Sequence, residues 1–117
     1  MADASIKNLT KQIADFCNER DWNQFHNAKD MALSLTLEAA EVLEHFQWKN
    51  EKEIQAYLKT NNADIAEELA DVMYWVLRMA DRFDIDIIEA FNKKMQKNAK
   101  KYPVEAAKGN HKKYKDL

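Results

Sequence analysis

Residues 62–83 read Asn62-Ala63-Asp64-Ile65-Ala66-Glu67-Glu68-Leu69-Ala70-Asp71-Val72-Met73-Tyr74-Trp75-Val76-Leu77-Arg78-Met79-Ala80-Asp81-Arg82-Phe83, without a glycine or a proline. The stretch is too long for a strand and is rich in good helix formers. At roughly 100° per residue its apolar side chains gather on one side. Asn61 or Asn62 is placed to cap it, and it runs to about Phe83. Two acidic residues break the pattern. Glu68 falls beside Val72, Trp75 and Met79, and Asp71 follows three residues later, where helix side chains share a face.

Working outward, the preceding sequence repeats the anomaly. Glu38 and Glu41 form an E-x-x-E pair, and Glu38 falls within the stripe of Met31, Leu35, Val42 and Phe46. A carboxylate among apolar neighbours is costly unless it is paired or binds a metal. Two acidic prongs on two helices supply the all-oxygen set that suits Mg²⁺ or Mn²⁺. The alternative is a pair of solvated acidic faces. Glu67 and Glu44 rotate away from the stripes and read as solvated. A di-iron carboxylate centre would need E-x-x-H motifs, which this sequence lacks. His45 follows Glu41 by four and reads either as a partner of a ligand or as a partly exposed helix residue.

The rest of the chain extends the helical reading. Ser5 can cap a first helix carrying Ile6, Leu9, Ile13 and Phe16, which ends near Arg20. Residues 21–26 have no period and read as a loop. A second helix starts at Asn27 or a neighbour and runs to about Gln47. Trp48-Lys49-Asn50 breaks it, and residues 51–59 predict a short helix. The last helix carries Ile87, Ile88, Phe91, Met95 and Asn98, and Pro103 stops it. The fold class is therefore all-α, a helical bundle of four main helices plus a short helix. Residues 1–103 form one domain and residues 104–117 a basic, extended C-terminal arm. No internal repeat or low-complexity segment is evident.

Composition agrees. The chain has 117 residues, with one Gly and one Pro, enough for one core but not two. A formal net charge of −2 gives no electrostatic case for nucleic acid. No apolar run reaches the roughly 20 residues that span a bilayer, and no signal peptide is evident, so a cytoplasmic location is expected with no membrane partner. Cys17 stands alone in an apolar pattern, which excludes an internal disulfide and suggests a buried structural thiol. Trp75, Met79 and Phe83 widen the apolar stripe beyond what a small bundle can hide. That predicts a homo-oligomer or a fully buried central helix.

Two further groups carry chemistry. Trp22, Phe25, His26 and Trp48 lie in or beside loops, either stapling them or forming a pocket that stacks on a nucleobase. Lys94, Asn98, Lys101 and Tyr102 recur at helical spacing before Pro103, either as a surface stripe or as phosphate contacts.

Glu19-Arg20-Asp21-Trp22-Asn23-Gln24-Phe25-His26, Leu37-Glu38-Ala39-Ala40-Glu41-Val42, Phe46-Gln47-Trp48-Lys49 and Glu67-Glu68-Leu69-Ala70-Asp71-Val72 together resemble the all-α nucleoside triphosphate pyrophosphohydrolases of the MazG superfamily. The ending Lys94-Met95, Asn98 and Lys101-Tyr102-Pro103 fits as well. Leu37 stands where many MazG proteins double the first Glu, which points to the dCTP pyrophosphatase branch and small single-domain MazG-like proteins. The resemblance implies Mg²⁺-dependent hydrolysis of (deoxy)nucleoside triphosphates, dCTP or modified forms among them, at the α–β phosphoanhydride. It implies Glu38, Glu41, Glu68 and Asp71 as metal ligands, with Glu41, or else Glu38, as the base. Trp22, His26 and Trp48 would hold the nucleobase, and Trp75 would wall the sugar. Lys94, Asn98, Lys101 and Tyr102 would meet phosphate or sugar. Family members assemble as dimers of dimers. Two other classes stay open: a nucleotide-binding or sensing module without turnover, and a helical partner-binding protein.

Overall fold

The computed structural model describes residues 5–117 and is all-α, as the sequence predicts; no strand occurs among the described residues. The helices are α1 (Ile6–Glu19), α2 (Ala28–Glu44), α3 (Glu51–Arg82), α4 (Ile87–Lys101) and the single-turn α5 (Val104–Ala107). The chain divides into two compact units, the first ending at Asp84 and the second covering Ile85–Leu117.

In the first unit, helix starts are set by local side chains. Ser5 Oγ accepts from the Asn8 amide at 3.1 Å, and Asn27 Oδ1 accepts from that of Asp30 at 2.8 Å. Asn50 and Glu53 form a reciprocal capping box at the start of α3. Each such cap contributes about 1 kcal/mol by satisfying an amide that the helix leaves open. Helix α2 ends at Glu44, three residues before the expected stop, and its last turn loosens into Phe46, Gln47 and Trp48.

The expected short helix and third main helix are one element. Helix α3 runs through the position where the sequence predicts a new cap, with a kink at Asn61 (φ −118°, ψ 18°). Asn61 Nδ2 donates to the Tyr57 carbonyl at 3.3 Å and to Thr60 Oγ1 at 2.9 Å. The side-chain amide, instead of starting a helix, satisfies the turn behind it. Without proline or glycine nearby, the helix bends rather than ends.

Helix α3 packs against both α1 and α2. Cys17 from α1, Met31 from α2, and Ile65, Leu77 and Ala80 from α3 form the buried apolar core. The thiol is thus buried as expected, and its Sγ lies 3.2 Å from Tyr74 Oη. The expected loop over 21–26 contains one 3-10 turn, Asn23–Phe25.

In the second unit, Asp86 caps α4 by accepting from the Glu89 amide at 3.0 Å, and the helix ends at Lys101 before Pro103. The arm beyond is not extended throughout. It contains α5 and a 3-10 turn at Tyr114–Asp116, with Tyr114 against Tyr102 (centroids 6.3 Å) and under Lys101 Nζ (4.7 Å). Aromatic and cation–π contacts give this tail a reason to fold back.

Candidate metal centre and the adjoining cavity

The E-x-x-E spacing on α2 and the position of Glu68 on α3 bring three carboxylates together. Glu38, Glu41 and Glu68 each offer an oxygen, and the three lie within 4.8 Å of one another. Glu41 is exposed, whereas Glu38 and Glu68 are partly buried. Glu38 Oε2 and Glu68 Oε2 are shielded from solvent and have no hydrogen-bond partner. Orphaned carboxylate oxygens are rare in native proteins because of their desolvation cost. Asp71 lies outside this trio and is exposed, though its charge reaches Glu38. Glu67 is solvated, as the rotation implies.

The electrostatics follow from this crowding. Burial, hydrogen bonding to Glu41 and the charges of Asp71, Glu41 and Glu68 push the Glu38 carboxyl up to about 7. Glu68 is also raised, first by hydrogen bonding to Glu41 and then by burial, with His45 acting in the opposite sense. Like charges this close disfavour joint ionisation. A hard divalent cation would satisfy the orphaned oxygens and relieve the repulsion together, so the residues fit Mg²⁺ or Mn²⁺.

His45 is partly buried at the end of α2 and pairs with a member of the trio, so both readings of the sequence meet in it. It caps α2, its Nδ1 lies 2.5 Å from Tyr57 Oη, and its Nε2 lies 3.7 Å from Glu68 Oε1.

Beside Asp71 a cavity of about 580 Å³ opens between α1 and α3. Leu9, Gln12, Ile13 and Phe16 line it from α1, and Ala70, Asp71, Met73, Tyr74, Trp75 and Leu77 from α3. Its apolar and aromatic walls with few polar groups are the usual composition of a small-molecule site. Burial and the neighbouring Cys17 raise the Tyr74 hydroxyl, which stays protonated.

Of the expected base contacts, the structure brings Trp22 and His26 together, beside Trp75, the expected sugar wall: His26 is 5.2 Å from Trp75 and 6.4 Å from Trp22, centroid to centroid. His26 does not itself line the cavity and reaches it through Trp75. Trp48 stands apart. It is 91% exposed with φ 68°, a left-handed conformation unusual for a bulky side chain, so it staples nothing. Lys94, Asn98, Lys101 and Tyr102 lie on or at the end of α4 in the second unit, with Asn98 and Lys101 partly buried.

Sequence reasoning missed Arg78, the one charged side chain in the core among the described residues, at 2% exposure. Its Nε donates to His26 Nδ1 at 3.0 Å, and its Nη2 donates to Asn23 Oδ1. Because a guanidinium only donates, His26 Nδ1 must accept, which leaves the ring proton on Nε2. Burial and the charges of Arg78 and Arg82 lower its pKa, keeping the ring neutral.

Comparison with known proteins identifies the family to which this fold belongs. The sequence model of the MazG-like family matches residues 33–117. The dCTP pyrophosphatase 1 of Mus musculus is 36% identical over 115 residues, covering 97% of this chain and 68% of that protein. Its Homo sapiens counterpart is 34% identical over the same shares. Among solved structures, a pyrophosphatase from Archaeoglobus fulgidus superposes with a TM-score of 0.79 at 36% identity, covering 84% of this chain and 92% of that one. Family match, identity over nearly the whole chain and shared helical fold converge: this chain belongs to the MazG-like family.

Proposed function

We propose that this nucleoside triphosphate pyrophosphatase is Mg²⁺-dependent, acts on dCTP or modified deoxynucleoside triphosphates, and clears them from the nucleotide pool. The observation that carries this reading is the carboxylate trio with its two orphaned oxygens, one turn along α3 from a cavity sized for a nucleoside. Relatives at about 35% identity named dCTP pyrophosphatase 1 support the substrate class.

Glu38, Glu41 and Glu68 would hold the cation, with Asp71 completing the set. The bound ion would neutralise phosphate charge and lower the pKa of the attacking water. Glu41 is the exposed member of the trio, so its carboxylate is best reached by the water whose proton it would accept, with Glu38 the second choice. One water is consumed and the α–β anhydride oxygen leaves with pyrophosphate. Phosphoanhydride cleavage depends on alignment and charge more than on covalent assistance, so the chain needs no nucleophile of its own. Trp75, with Phe16, would pack on the nucleoside, and Trp22 and Trp48 would stack on the base. His26 Nε2–H is left free to donate. By family resemblance, Lys94, Asn98, Lys101 and Tyr102 would take phosphate or sugar.

A homo-oligomer, built as a dimer of dimers, is part of this proposal. Leu33 and Leu37 on α2, and Leu69 and Met73 on α3, are exposed at i, i+4 spacing; such ridges are suited to a symmetric partner. Among the described residues no helix is long and apolar enough to cross a membrane, which is compatible with the cytoplasmic setting we propose.

The test is release of pyrophosphate across a panel of canonical and modified triphosphates with Mg²⁺. Binding without release would favour a sensing module. Thermal stability insensitive to both Mg²⁺ and nucleotide would favour a helical partner-binding protein, since a ligand of the folded state raises stability.

A further inference from the structure

His45 and Tyr57 form a contact whose geometry concerns the carboxylates more than the core. Tyr57 lies before the Asn61 kink of α3, and Glu68 lies after it. Eleven residues separate them, about 16 Å along a straight helix. His45, at the end of α2, touches both: Nδ1 meets Tyr57 Oη at 2.5 Å, and Nε2 faces Glu68 Oε1 at 3.7 Å. The side chains of His45 and Glu68 are 15% and 23% exposed.

One assignment of protons satisfies all three groups. An N–H on Nε2 faces the carboxylate, so Nδ1 carries a lone pair and the Tyr57 hydroxyl donates to it. The 3.7 Å separation exceeds a direct hydrogen bond, so the contact with Glu68 is electrostatic orientation. The His45 backbone carbonyl accepts from Lys49 Nζ at 2.8 Å, and the same ammonium lies 4.4 Å from the Tyr57 ring centroid. Lys49 thus braces the His45 backbone and the Tyr57 ring, the two partners of this contact. The imidazole faces one oxygen of Glu68, while the other, Oε2, is buried without a partner.

We propose that His45, held by Tyr57, is a positioning residue that fixes Glu68 across the α3 kink so that Oε2 is presented to a divalent cation. This rests on the metal reading above and adds to it a residue pair that aims the ligand. Groups that orient a metal ligand typically alter affinity by about 10–100-fold when removed.

The experiment measures binding of Mn²⁺ alone to the full chain by electron paramagnetic resonance, with Mg²⁺ calorimetry in parallel. His45→Leu keeps an apolar-compatible volume and is expected to weaken Mn²⁺ binding by about tenfold or more. Tyr57→Phe removes only the hydroxyl and is expected to weaken it by about fivefold. His45→Gln can return an N–H toward Glu68 and should recover part of the loss. A merely structural role would lower the melting temperature without moving Mn²⁺ affinity. Should His45→Leu fail to fold, Tyr57→Phe and His45→Gln decide between the two roles. Wild-type affinity in these variants would overturn the inference and leave the metal centre standing. A wild-type chain that binds neither ion would overturn the metal centre itself, and this inference with it.

Discussion

Arg78 Nε donates to His26 Nδ1 across 3.0 Å, tying the turn between α1 and α2 to the C-terminal end of α3. The buried guanidinium also binds Asn23, and Arg82 reaches the Asn23 carbonyl at 3.4 Å. Replacing Arg78 by Met leaves two acceptors, His26 Nδ1 and Asn23 Oδ1, without their donor. The expected cost is about 2–3 kcal/mol, measured by urea unfolding. His26 adds a pH signature. Its folded pKa lies below the ordinary 6.5, so its contribution is present above pH 6.5 and lost as pH falls through the folded value. Arg78→Met should therefore flatten the acid limb of the stability curve, whereas a purely steric role for Arg78 would leave that limb unchanged.

Glu38 titrates with the opposite sign. Its folded value, about 7, lies above the ordinary 4.5. The folded state then binds the proton more tightly, so the contribution is whole below pH 4.5 and lost as pH rises through about 7. Metal-free Glu38→Gln is expected to melt above wild type at about pH 8 and to match it near pH 5. The same window governs metal binding, because ligation needs the deprotonated carboxylate. Mg²⁺ affinity should rise from about pH 6 to about pH 8, and an affinity flat across that range would contradict this electrostatic picture.

Trp48 holds a left-handed backbone position and an exposed indole at once. Glycine accepts that backbone without the Cβ penalty, which is about 1–2 kcal/mol. Trp48→Gly should leave the melting temperature unchanged or raised. Loss of base stacking, worth about 1–3 kcal/mol, should raise KM by about fivefold or more. A stabilised variant with unchanged KM would remove Trp48 from the substrate contacts.

Neighbouring carboxylates provide an internal control. Glu68 points into the trio and Glu67 into solvent. Glu38→Ala, Glu68→Ala and Asp71→Ala should each abolish turnover with helical circular dichroism intact. Glu67→Ala should stay within about twofold of wild type, in line with an ordinary surface change. Equal damage at Glu67 and Glu68 would overturn the rotational assignment.

What is legible in the sequence is what depends on neighbours along one helix. Caps at Ser5 and Asn27, the break before Glu51, and the shared face of Glu38 and Glu41 all follow from spacing of a few residues; that Glu68 of α3 joins them follows from the packing of α2 on α3. Asn61 is ambiguous because a cap and a kink place the same amide at the same point, and only the tertiary contacts of α3 decide which forms. Asp71 shares the rotation of Glu68, yet it is exposed and sits at the cavity wall. Arg78 and His45 are illegible for a different reason. Arg78 binds residues more than 50 positions away, and the Tyr57 partner of His45 lies beyond a helix end. Local patterning gives no warning of either contact.

The central claim is that the carboxylate trio serves hydrolysis at the α–β anhydride of a deoxynucleoside triphosphate. Its most direct test is ³¹P NMR of dCTP incubated with the chain and Mg²⁺, with Glu38→Ala in parallel. With wild type, dCMP and pyrophosphate are expected to appear together; with Glu38→Ala, neither should. Products of dCDP and inorganic phosphate, or undiminished release by Glu38→Ala, would contradict the claim.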